Sequence, residues 1–159
     1  METNSTAAPC GYRAVTPYLT VKGAAAAIDF YKSVFGAGEL MRMEAPGGKI
    51  GHAELQIGDA VVMLADEWPD MDCKGPEAFG GSPVSLLIYV DDVDATAELA
   101  VAAGATLKRA PKDEFWGDRM GTVVDPFGHV WQIATHVEDV PDDEMERRAE
   151  AAMREMAGG

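Results

Sequence analysis

Cysteine is scarce in this chain: of 159 residues only two, Cys10 and Cys73, are cysteine. They stand far apart with no Cys-x-x-Cys neighbour, which excludes a disulfide framework and a zinc knuckle and predicts two free thiols. Long apolar runs are missing too. No stretch approaches the roughly 20 residues a bilayer-spanning helix needs, and Met1 to Pro9 lacks the basic and apolar regions of a secretory signal. A cytoplasmic location is the expectation. Basic residues are few, 13 Lys and Arg against 27 Asp and Glu, and the formal net charge of −14 repels phosphate backbones and anionic lipid surfaces. Neither nucleic acid nor membrane is expected as a partner. The sequence also has no Gly-rich phosphate loop, no Ser–His–Asp arrangement and no setting for a Cys nucleophile.

What is present is a regular succession of short elements, in a chain long enough for one well-buried core. Tyr12 to Val21 reads as a strand with Pro17 at an edge or bulge. From Ala24 to Phe35 apolar residues recur at helical spacing, and Gly36 stands where a helix ends. Strands are predicted over Gly38 to Glu44, Lys49 to Ile57 and Ala60 to Ala65, separated by Pro46-Gly47-Gly48 and Gly58-Asp59. Asp66 to Ser82 is a connector whose Trp68, Met71 and Phe79 suggest a covering role. The order then repeats: strand Val84 to Val90, helix Asp92 to Ala103, and strands Thr106 to Ala110, Asp118 to Val124 and His129 to His136. Val21 and Val90, like Met63 and Gln132, are 69 positions apart, which argues for duplication of one βαβββ unit. Pro141 opens a last helix with acids in its first turn, Arg147, Arg148 and Arg154 later, and a stripe of Met145, Ala149, Ala152, Met153 and Met156. The fold class is α+β.

The opening Thr16-Pro17-Tyr18-Leu19-Thr20-Val21, the following Ala27-Ile28-Asp29-Phe30-Tyr31 and the turn Asp125-Pro126-Phe127-Gly128-His129 carry a family likeness. With the doubled unit, they resemble the vicinal-oxygen-chelate superfamily of glyoxalases, bleomycin-resistance proteins and extradiol dioxygenases. The run Lys49 to Leu55, Phe115-Trp116-Gly117-Asp118-Arg119 and the tail Ile133 to Val140 are most similar to the PhnB-like branch. The resemblance implies a single domain over 11–138, with units 11–66 and 83–138 and connector 67–82, after a disordered tail 1–10 and before the helix 139–159. It implies open, curved sheets with a concave ligand cavity, and a homodimer. A small-molecule binder is one expected function. A glyoxalase-like lyase or another enzyme acting on a small oxygenated metabolite, using His52 and Glu54 or an atypically placed divalent metal, is the other.

Strand alternation predicts which residues face the cavity. Ala53, Leu55 and Ile57 suit the helix side, leaving His52, Glu54 and Gln56 opposite; likewise Leu86, Ile88 and Val90 leave Ser85, Leu87 and Tyr89, and Thr16 and Tyr18 fall inward. His52 and Glu54 are the candidate catalytic pair, about 7 Å apart by strand rise and so expected to meet one ligand rather than each other; a solvated polar pair is the plainer reading. Tyr18, Gln56, Tyr89, Trp116, Arg119 and Gln132 are the candidate ligand contacts, with Trp116 stacking and Arg119 hydrogen bonding, or else a core Trp and a surface Arg–Asp pair. His129 and His136 are given no catalytic role. Metal-dependent relatives take ligands from positions that here are Thr16, Met63, Ser85 and Gln132. Two hydroxyls and a thioether are too weak a set, so neither a metal nor another cofactor is expected.

Overall fold

The computed structural model describes residues 7–159; the first six residues of the expected tail lie outside that range. Two compact units emerge, one running to Ser82 and including Pro126–Gly128, the other Pro83–Asp125 with His129–Gly159. Among the described residues no helix is long and apolar enough to cross a membrane.

The first unit contains β1 (Tyr18–Val21), α1 (Ala24–Phe35), β2 (Gly38–Ala45), β3 (Lys49–Ile57) and β4 (Ala60–Asp66). Its open four-stranded sheet has the order β1-β4-β3-β2, with β1 parallel to β4 and the other pairs antiparallel. The expected strand from Tyr12 is shorter than its alternation suggests. Pro17 has no N–H to give, and pairing starts when its carbonyl accepts from Met63 N at 2.9 Å. Ala53, Leu55, Leu64 and Val21 are fully buried opposite Ala24, Ala27, Ile28 and Tyr31 of α1, so the helix side of the sheet is where alternation puts it. Gly36 closes α1 with φ 66°, its N–H reaching Lys32 O while the Ala37 N–H reaches Tyr31 O.

Asp66 holds the start of α1 from a distance. One carboxylate oxygen accepts from Gly23 N and Ala24 N, each at 2.9 Å, and the other from Ile50 N at 2.7 Å. Gly23 has no side chain to cap the helix, so the end of β4 supplies the missing acceptor. The connector places Trp68 beneath the Lys49 ammonium, 4.5 Å from the ring centre, but leaves Met71 and Phe79 about three-quarters exposed (73% and 72%).

The second unit repeats the design with β5 (Ser85–Tyr89), α2 (Val93–Ala102), β6 (Thr106–Asp113), β7 (Asp118–Val124) and β8 (Val130–His136), in the order β5-β8-β7-β6. β6 extends beyond the expected Ala110. Asp92 caps α2 by accepting from Ala95 N at 3.0 Å. The 69-residue offset holds for β1 and β4, since Tyr18 pairs with Met63 as Leu87 pairs with Gln132. It becomes 68 for β3, because Glu54 pairs with Met63 whereas Thr122 pairs with Gln132; the longer β7–β8 turn absorbs the difference. Neither sheet closes into a barrel.

The last helix, α3 (Asp142–Ala157), has no buried residue. Arg148 ties it down by pairing both guanidinium arms with Glu138 at 2.8 and 2.9 Å and donating to Phe115 O at 3.2 Å. Met153 and Met156 of the predicted stripe stay exposed.

Candidate functional site

On the first sheet, the face away from α1 carries an unbroken row of polar side chains. The Tyr12 hydroxyl donates to Glu54 Oε2, Glu54 Oε1 lies 3.0 Å from His52 Nε2, and His52 Nδ1 lies 2.9 Å from the Tyr18 hydroxyl. His52 and Glu54 thus do meet, contrary to the expectation from strand rise. The rise separates backbones, and two long side chains leaning toward one another close the gap. From Glu54 outward exposure increases: the side chains of Glu54 and His52 are 11% and 23% exposed, and Tyr18 is 53% exposed. The hydrogen bonds from His52 and Tyr12 hold the Glu54 carboxyl below its ordinary pKa. Partial burial raises Tyr18, with smaller contributions from Cys73 and Glu54, so its phenol keeps its proton. Strand register sets three thioethers around the row: Met41 and Met63 pair with Glu54, and Met43 pairs with His52.

A second row occupies the corresponding face of the second sheet. The Tyr89 hydroxyl donates to Asp118 Oδ2 at 3.1 Å, and Asp118 Oδ1 is 2.8 Å from His136 Nδ1. His136 Nε2 is 2.6 Å from the exposed carboxylate of Asp139. With a carboxylate at each nitrogen, first Asp139 and then Asp118, His136 has its pKa raised and favours the doubly protonated form. Tyr89 is raised as well, chiefly because it donates to Asp118. An open depression of about 460 Å³ is lined by Tyr89, Val90, Asp91, Thr135 and His136.

The other sequence candidates are committed locally. Gln56 donates to Gly58 O at 2.8 Å in the β3–β4 turn, and Gln132 donates to Ser85 Oγ at 2.8 Å. Arg119 has two expectations from the sequence, a ligand contact or a surface Arg–Asp pair. It lies on the side of β7 opposite the ligand face, because Asp118 takes the ligand-facing register and adjacent residues alternate. There Arg119 grips Asp94 of α2 through two hydrogen bonds of 2.7 and 3.0 Å and reaches Asp113 at 3.1 Å. Trp116 is half-buried and packs edge-on to Phe115, with ring centres 5.0 Å apart. Gly117 does permit a close approach, but to the chain's own backbone. Its carbonyl accepts from Val137 N and Glu138 N, and a Cβ built at its φ of 101° would stand 2.1 Å from Glu138 O.

The four positions that hold a metal in relatives do not fit one. Thr16 Oγ1 donates to Arg13 O at 3.0 Å, the Gln132 amide nitrogen is turned to Ser85 Oγ, and Met63 brings only a thioether. This set lacks the carboxylate or imidazole donors a divalent ion requires. Sequence reasoning missed Tyr12, placed inside a strand, along with Asp118, His136 and Asp139. A spacing signal did exist for part of the second row, since His136 and Asp139 are three residues apart. The Asp118–His136 pairing depends on β7–β8 register and was not visible locally.

The comparisons with known proteins agree with this architecture. The family model of the Glyoxalase/Bleomycin resistance protein/Dioxygenase superfamily matches residues 12–133. An uncharacterized protein of Mycobacterium bovis is 45% identical over 150 residues, covering 92% of this chain and 95% of that protein; one from Mycobacterium tuberculosis has the same identity and covers 85% of its own length. Among solved structures, TioX from Micromonospora sp. ML1 is 30% identical with a TM-score of 0.61, over 77% of this chain and 98% of that one. The PhnB protein of Bacillus cereus, 16% identical with a TM-score of 0.63 over 77% of this chain and 99% of its own, shares the fold. The chain belongs to the glyoxalase/bleomycin-resistance/dioxygenase superfamily.

Proposed function

We propose that this chain binds a small organic molecule on the face of the first sheet that carries Tyr18, His52 and Glu54. The observation behind this reading is the row Tyr12–Glu54–His52–Tyr18, anchored at a nearly buried carboxylate and ending at an exposed phenol. Such a row fixes the rotamers of its members before any ligand arrives, which lowers the cost of ordering them on binding. Met41, Met43 and Met63 add an adaptable, polarizable rim. Titration of small-molecule collections into protein labelled at its methionine methyls tests the reading. Binding should shift Met41, Met43 and Met63 and weaken in Tyr18→Ala and His52→Ala; if no compound shifts those three methyls, the reading fails.

One observation favours catalysis on a small oxygenated metabolite as a second reading. His52 touches Tyr18 with one nitrogen and Glu54 with the other, so a proton accepted at Tyr18 can pass to His52 while Glu54 stabilises the imidazolium. Saturable turnover abolished by His52→Ala favours this reading, and ligand binding without turnover favours the first. A homodimer belongs to the same proposal, supported by the exposed methionines of α3, and light scattering showing a monomer at micromolar concentration contradicts it.

A further inference from the structure

We propose that the unit-one face selects molecules that donate hydrogen bonds, such as flat aromatic amines in their cationic form, and disfavours anions and pure acceptors. The inference rests on the small-molecule reading of this face and deepens it. It follows from the direction of each hydrogen bond in the row. Glu54 is ionised and can only accept, and its two oxygens face Tyr12 and His52. His52 Nε2 must therefore carry a hydrogen. In a neutral imidazole the remaining nitrogen, Nδ1, is then a bare lone pair, and the Tyr18 hydroxyl spends its only proton on it.

Every proton in the row thus points inward, toward Glu54. What faces outward is the oxygen lone pairs of Tyr18, which is 53% exposed. The neighbouring Met41, Met43 and Met63 present thioether sulfurs, which are weak acceptors and make favourable contacts with aromatic rings. A net charge of −14 adds a long-range field of the same sign. An anion would meet lone pairs, sulfurs and a carboxylate, with no outward donor in the row to receive it.

Three fluorescent probes separate hydrogen bonding from charge when binding is read at the methyls of Met41, Met43 and Met63 at one mildly alkaline pH. Proflavine is a flat cation with exocyclic N–H donors, acridine orange is a similar cation whose amines are methylated, and 1-anilinonaphthalene-8-sulfonate is an anion. Proflavine should bind about tenfold more tightly than acridine orange, the worth of one well-formed hydrogen bond, and the anion should bind weakest.

Glu54→Gln should then reverse the polarity without changing shape. Tyr12 still needs an acceptor and takes the amide oxygen, so the amide N–H₂ faces His52 Nε2. That nitrogen must now accept, Nδ1 gains the hydrogen and donates to Tyr18, and the Tyr18 proton turns outward. Proflavine should lose about tenfold and the anion should gain. His52→Leu, which frees the Tyr18 proton directly, should move both probes in the same directions. Acridine orange binding as tightly as proflavine, the anion binding best, or both variants leaving the preference intact overturns the inference. If none of the three shifts the three methyls while another compound of the wider collection does, the inference falls and the binding reading stands.

Discussion

Both units place a tyrosine, a histidine and a carboxylate on the sheet face away from their helix, but the two rows end differently. In the first, the chain of hydrogen bonds stops at Tyr18, whose oxygen faces solvent. In the second, Asp139 covers the outer nitrogen of His136, and the Tyr89 hydroxyl is turned onto Asp118. The first row ends outward at a neutral phenol, whereas the second, whose Tyr89 is also exposed (61%), ends outward at the Asp139 carboxylate. Because a duplicated unit started with the same scaffold in each half, the difference shows how side-chain placement alone changes the charge of a row: His136 lies between two carboxylates, His52 between one carboxylate and a phenol. The rows do not occupy equivalent rungs: Tyr18 aligns with Leu87 and Glu54 with Thr122.

The largest expected effect tests whether the second row is chiefly structural. Gly117 supports it from below, holding the strand exit at Val137 and Glu138, and Gly117→Ala forces a residue with a Cβ into a φ of 101° against a carbonyl. The backbone conformation alone costs about 1–3 kcal/mol, with the clash added, so urea unfolding should show a loss of roughly 3 kcal/mol or more. Next comes Asp118→Ala, which strips a buried acceptor from Tyr89 and His136 and should cost about 1–3 kcal/mol. Tyr18→Phe, at the outer end of the first row, should cost under about 0.5 kcal/mol. Equal costs for these last two would erase the contrast.

The rows should also respond to pH in opposite directions. His136 has a folded pKa raised above its ordinary 6.5 by Asp139 and Asp118. Its contribution is therefore fully present below 6.5 and is lost as pH rises through the raised value. Glu54 has a folded pKa lowered below 4.5 by His52 and Tyr12; its contribution is present above 4.5 and is lost as pH falls through the lowered value. Imidazole resonances of His136 should titrate above the ordinary histidine range, and Asp139→Asn should bring the midpoint down. A midpoint unmoved by that change contradicts the clamp. The smallest effect concerns Arg119→Ala, which should lower the melting temperature by releasing Asp94 and leave probe binding at Met41, Met43 and Met63 unchanged.

Much of this was legible in the sequence. Alternation on β3 separated Ala53, Leu55 and Ile57 from His52 and Glu54, because one face buries against α1 and the pleat has a period of two. Gly36 and Asp92 marked helix ends through local capping chemistry. What escaped was set by distance in the chain. Asp66 looked like the first residue of a polar connector, yet it caps a helix 42 residues earlier. For Arg119 the sequence left a ligand contact and an Arg–Asp pair both open, and only the one-residue step along β7 from Asp118 puts it on the helix side, paired with Asp94. The mutual contact of His52 and Glu54 was discounted by a backbone rise that two flexible side chains overcome.

In the proposed binding mode a ligand lands on the Tyr12–Glu54–His52–Tyr18 row of the first unit. Proflavine titrated into uniformly ¹⁵N-labelled protein, with backbone and His52 side-chain resonances followed together, measures this directly. The predicted result is saturable shifts confined to Tyr18, His52, Glu54 and the neighbouring Met41, Met43 and Met63, with the Tyr89–Asp118–His136 row undisturbed. Saturable shifts centred on Tyr89, Asp91 and His136, with Tyr18 and His52 unmoved, would contradict it.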